Sequence, residues 1–150
     1  MTDALTIGWT AAQARSWRRI FQRILGCNMA LQVLIGLACM FAPDFVSQIF
    51  GLPSPVPSGW IRGWGATLIL VTVLYIPALQ DPVRSRFANI TGIFGRLATV
   101  WLVIGGGLIW PGLFDLFFAI LLAASYYRLF EAELQSRPVI PAAAQLTSLS

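Results

Sequence analysis

Histidine and lysine are both missing from this 150-residue chain, and cysteine occurs only twice. Without histidine, the chain cannot by itself supply a histidine-ligated haem, zinc or copper site, or a histidine general base. Cys27 and Cys39 stand in one apolar run, about 18 Å apart along a helix, too far to bridge each other. They read as small buried apolar residues. Charge is scarce as well: 11% of residues are charged and 57% hydrophobic, where a soluble domain carries about 25% charge. No catalytic constellation and no metal-ligand set is present, so the sequence names no reaction. The expected class is an all-α integral membrane protein of one domain.

What charge there is has a pattern. The net charge is +4, and every basic residue is an arginine. The arginines flank apolar segments instead of forming a soluble basic face, which points to lipid headgroups as partner and away from nucleic acid. Apolar runs long enough to cross a bilayer occur over 25–42, 60–79, 87–110 and 113–130, predicting a four-helix bundle. Between them lie Pro43–Gly59, which includes Pro53-Ser-Pro-Val-Pro57, the charged turn Gln80–Arg86, and a glycine-rich corner over Gly105–Gly112. Pro111 suits the first turn of the fourth helix. Arg15, Arg18, Arg19, Arg23, Arg84, Arg86, Arg128 and Arg137 all fall on one side of such a bundle, against Arg62 on the other. The positive-inside rule then puts both termini in the cytoplasm, with a bacterial inner membrane as the expected location.

Ahead of the first span, Trp17, Ile20, Phe21 and Ile24 recur at helical spacing beside a stripe of Arg15, Arg19 and Arg23. This predicts a short interfacial amphipathic segment, or else an extension of the first helix into the headgroups. Arg18-Arg-Ile-Phe21 and Ile24-Leu-Gly-Cys27 resemble a twin-arginine signal and a lipoprotein box only faintly, because arginines occupy the place where a lipobox needs an apolar run. The tail from Pro138 is expected to be loose.

Polar groups at membrane depth cost roughly 2.5–3.5 kcal/mol for a central charge, so each needs an internal partner or a water-lined cavity. Arg62 and Asp115 fall at the same outer end and are expected to form a structural ion pair. Trp60, Trp64 and Trp110 at that level suit an interfacial belt. Arg96 lies about 15 Å deep if the third helix starts near Arg86, or at the inner interface if it starts near Ile93. Asn28 and Gln32, one turn apart, share a face at a depth that meets Arg96. Tyr75 and Tyr126, with Thr99 and Ser125, are further candidates for a polar pocket suited to an anionic headgroup, a quinone carbonyl or a polar solute. The competing reading is interhelical hydrogen bonding that fixes packing. Small residues at four-residue spacing, Gly59 with Gly63, Ala88 with Gly92, Thr91 with Gly95 and Thr99, and Ala119 with Ala123, predict close helix contacts.

The order of Pro43-Asp, Phe50-Gly-Leu, Arg62-Gly-Trp-Gly and Gly95-Arg96-Leu resembles the DoxX-like group of small four-helix membrane proteins, over roughly Leu31 to Tyr127. The resemblance implies a compact four-helix bundle and a link to quinone-coupled oxidation or to redox and stress complexes. This chain has no cysteine pair or histidine to carry such redox chemistry alone. The expected role is therefore a non-catalytic membrane subunit or scaffold, joined to other subunits or to itself and holding no intrinsic cofactor. The alternatives are a quinone- or lipid-binding protein organised around Arg96 within a quinone-coupled oxidoreductase, and a small-solute carrier acting as an oligomer.

Overall fold

In the computed structural model, which describes residues 2–52 and 57–136 and side chains from residue 9 onward, every element is an α-helix. α1 spans Thr2–Phe41, α2 Pro43–Ile49, α3 Ser58–Leu74, α4 Ile76–Gln80, α5 Arg86–Gly105 and α6 Ile109–Gln135. Three of these, α1 over Trp9–Phe41, α5 and α6, are long and apolar enough to cross a bilayer, as an integral membrane protein requires. Most of the Pro53–Pro57 separator, Arg137 and the tail from Pro138 lie outside the described residues.

The helix boundaries correct the expected spans where backbone chemistry intervenes. The run 60–79 is two helices broken at Tyr75. Pro77 has no N–H to give the Val73 carbonyl, so the i to i−4 ladder is interrupted there. The run 87–110 is cut at Gly105, and Gly107, at φ +85°, turns the chain in a conformation that a side chain would resist. Trp110 therefore belongs to α6, which starts earlier and ends later than 113–130. Part of the expected Pro43–Gly59 connection is helical: Pro43 opens α2, and Val46 is buried against Cys39 and Ile61.

The expected interfacial segment is not a separate element. α1 is unbroken for 40 residues, about 60 Å, twice a ~30 Å hydrocarbon core. The apolar face of its first half is covered by protein instead of lipid: Phe21 and Leu25 are fully buried against Leu122, Tyr126 and Leu129 of α6, with Trp17 and Ile24 packed beside them.

Close approach of backbones is achieved at one crossing that the four-residue spacings did not single out. A methyl group placed on Gly36 of α1 would come within 2.9 Å of the Gly65 carbonyl oxygen of α3, and one on Gly65 within 2.5 Å of the Gly36 oxygen. Gly59, Gly63 and Gly95 instead have nothing within 4 Å of where a side chain would start. α1 thus packs on α3 and α6, and α6 on α5. No described Cα of α3 comes within 8 Å of α5. The two helices are held apart, and the space between them is the feature that positions the site.

Candidate functional site

A cleft of about 470 Å³ occupies the gap between α3 and α5. Its α3 wall is formed by Trp64, Thr67, Leu68, Val71 and Leu74, and its α5 wall by Phe87, Ala88, Thr91, Gly92, Gly95 and Thr99. Gln32 from α1, Arg96 from α5 and Asp115 from α6 form the polar floor. Small side chains on α5 leave the volume open, and Trp64 and Phe87 mark its two ends.

Arg96 is the centre of that floor. α5 begins at Arg86, the start on which the deeper of the two expected placements rests, and Arg96 lies about 15 Å along a helix about 30 Å long. The residue is only 6% exposed. Nη1 donates to Asp115 Oδ1 at 3.0 Å, and Nη2 donates to Asn28 Oδ1. Among the described residues Nε finds no partner, nor does Nδ2 of the fully buried Asn28. A charge at this depth is tolerated because a carboxylate cancels it and an amide oxygen shares the guanidinium. Asn28 and Gln32 are both buried and lie one turn apart, as their spacing requires. Gln32 Oε1 sits 3.4 Å from Thr72 Oγ1, whose proton is directed at the Leu68 carbonyl 2.8 Å away.

Tyr75 stands at the junction of α3 and α4 with a helical backbone, φ −83° and ψ −9°, and its side chain reaches into the site. Its ring crosses the inner end of the cleft and rests on Gly92, where a methyl group would lie 1.8 Å from the hydroxyl oxygen. The hydroxyl is within electrostatic reach of the Arg96 guanidinium.

Of the sequence-derived companions of Arg96, Asn28 bonds to it, Tyr75 lies within its electrostatic reach, and Gln32 and Thr99 line the same cleft. Tyr126 does not: it shares a face of α6 with Asp115 but lies eleven residues on, about 16 Å along the axis, where it packs on Phe21 with ring centroids 5.4 Å apart. Ser125 turns its hydroxyl to the Leu121 carbonyl of its own helix. The expected Arg62–Asp115 pair is replaced by Arg96–Asp115. Ile61 and Gly65 turn inward onto α1, which leaves Arg62, a quarter turn round α3, exposed and without a partner among the described residues. Asp115 as the counter-ion of Arg96 was missed, although as an acid within an apolar run it carried the signal. Asn89, buried with Nδ2 donating to the Pro82 carbonyl at 2.9 Å, ties the start of α5 to the preceding turn and takes no part in the cleft.

Among the described residues no group of three or more histidine, cysteine, aspartate or glutamate side chains is placed to hold a metal ion. The donors and acceptors at hand are suited to binding and orienting a molecule. No family model, curated protein or solved structure matches the chain, so the function is argued from this cleft alone.

Proposed function

We propose that this protein crosses the membrane four times, with both termini in the cytoplasm of a bacterial cell, and binds a lipid-soluble molecule that enters the α3–α5 cleft sideways from the bilayer. Support for the fourth crossing comes from α3 and α4, which together with Tyr75 run over 58–80, about 34 Å of near-continuous helix. Eight arginines on one side against Arg62 on the other support the orientation. The observation that carries the binding reading is an apolar cleft, lateral to the bundle, whose floor is a buried and charge-balanced ion pair. Apolar walls with a few convergent polar groups are the usual make-up of a small-molecule site. An intramembrane ion pair without such a role costs desolvation that well-packed apolar residues would avoid. The protein acts by holding its ligand, and any chemistry on that ligand belongs to a partner.

Gly95→Phe tests this. Gly95 lines the cleft and has open space above it, so the ring fills the cavity without displacing the backbone. Native mass spectrometry of protein released from mild detergent is expected to show a small lipophilic adduct on the wild type that the variant lacks, at equal protein mass. An adduct equally abundant on both, or absent from the wild type, would overturn the reading.

A membrane subunit is the second reading, favoured by Gly59 and Gly63. These stand one turn apart on α3 with nothing packed above them, beside the exposed Trp60. A partner helix can approach such a face closely. Gly63→Leu is expected to strip a co-purifying subunit in mild detergent, and a chain that is solitary both before and after the change argues against it.

A further inference from the structure

The polar atoms that the cleft presents determine what kind of head group it accepts. Arg96 is the obvious candidate for an anion or a carbonyl, yet much of its donor capacity is already taken. Of its five N–H groups one is engaged by Asp115 and one by Asn28, Nε is buried without a partner among the described residues, and the Tyr75 hydroxyl lies within electrostatic reach of the guanidinium. Asp115 is different. Only Oδ1 is engaged, and the side chain keeps a quarter of its surface exposed, 25% against 7% for Arg96. Asp115 lines the cleft, and its second carboxylate oxygen is the acceptor left over for a ligand there. Thr67 and Thr99 add to this. Each donates its single hydroxyl proton to a carbonyl one turn back on its own helix, to Gly63 and Gly95 respectively, both at 2.9 Å. What remains toward the cleft is lone pairs.

From these observations, and resting on the binding reading above, we propose that the cleft selects an uncharged lipid whose head carries a free hydroxyl group. The O–H donates to the second oxygen of Asp115, and the hydroxyl oxygen accepts from Tyr75 or from the Gln32 amide. Net charge decides against an anion. Arg96 and Asp115 are the charged residues lining the cleft and cancel, so a carboxylate or phosphate would leave one uncompensated negative charge deep in the membrane. A carbonyl or an ether adds no charge but has no proton to give, and it would bury the carboxylate oxygen unpaired. A lipid alcohol and a phenol with an alkyl chain share the required chemistry.

The test uses matched probes on the purified wild-type protein in a neutral detergent, with affinity read by equilibrium dialysis. One pair is 1,2-dioctanoylglycerol and its 3-O-methyl ether. The other is octylhydroquinone and octylbenzoquinone, its two-electron, two-proton oxidation product, which carries carbonyls where the hydroquinone carries hydroxyls. Laurate serves as the anion. A hydrogen bond to a charged acceptor predicts about a tenfold or greater preference for the hydroxyl member of a pair, and the pair that shows it identifies the source as alcohol or phenol. Asp115→Asn is expected to abolish the preference. Because that change strands Arg96, the combined change Arg96→Leu with Asp115→Leu provides the second variant, which removes both charges together and is expected to abolish the preference as well. Equal affinities within both pairs, or tighter binding of octylbenzoquinone or laurate, would overturn the hydroxyl assignment while leaving the binding site standing. Failure of every probe to bind would overturn both.

Discussion

The two halves of the α1 seam make opposite use of one helix face. Phe21, Leu25, Asn28 and Gln32 fall within about a sixth of a turn of one another on α1, yet the first two are locked in an apolar core against α6, while Asn28 holds Arg96 and Gln32 lines the cleft. The apolar half is closed by large side chains on both partners, Leu122, Tyr126 and Leu129 among them. The polar half is kept open because α3 is drawn to α1 through Gly36 and Gly65, while α5 is drawn to α6. Neither α3 nor α5 is then free to close on the other. In lipid, where apolar burial between helices brings little, shape and polar pairing decide which surfaces meet. The comparison shows a molecule that spends its shape complementarity on one half and its polar groups on the other.

The contrast can be broken most severely at Arg96. Arg96→Leu leaves Asp115 as an unpaired charge in the membrane and is expected to lower stability by about 3–5 kcal/mol, measured by reversible denaturation in micelles. Arg96→Leu combined with Asp115→Leu should recover at least half of that loss, and a double variant as unstable as the sum of the two single changes would deny the pairing. Next comes the apolar half. Leu25→Ala is expected to cost about 2–4 kcal/mol through the cavity it leaves, while ligand affinity stays unchanged in the folded protein. An equal loss of affinity would mean that the halves are mechanically one.

Gly92→Ala is a smaller blow to stability, about 1 kcal/mol of overpacking, but it drives Tyr75 off its seat. Probe binding in the cleft is expected to fall severalfold, and an unaltered dialysis isotherm would remove Tyr75 from the site. Least of all, Thr72→Val should cost about 0.6 kcal/mol, because the 3.4 Å approach to Gln32 is a weak contact and the hydroxyl is committed to Leu68. A loss above 2 kcal/mol would show that Gln32 depends on it.

Much of the site was legible because helical periodicity and depth are both readable along the chain. Arg96 stood out as a charge inside an apolar run, and Asn28 with Gln32 could be placed on one face at a matching level. Tyr126 passed the test of face and failed that of depth. Asp115 passed the test of depth, but its partner could not be read, since pairing depends on how α5 and α6 are rotated about their axes. Glycine spacing misled for a similar reason. Gly59, Gly63 and Gly95 have the four-residue interval, whereas Gly36 and Gly65 belong to different helices and form a pair only in space.

Composition along the chain was enough to establish lipid as the solvent, to mark the apolar helices, and to single out Arg96 as a charge in need of company, because transfer free energy is a sum over local residues. The choice of Arg96 over Arg62 as the partner of Asp115, the seating of Tyr75 on Gly92, and the cleft itself were decided by helix rotation and crossing. Those depend on contacts between residues far apart in sequence, and here a single close crossing of α1 with α3 sets the space that α5 leaves open.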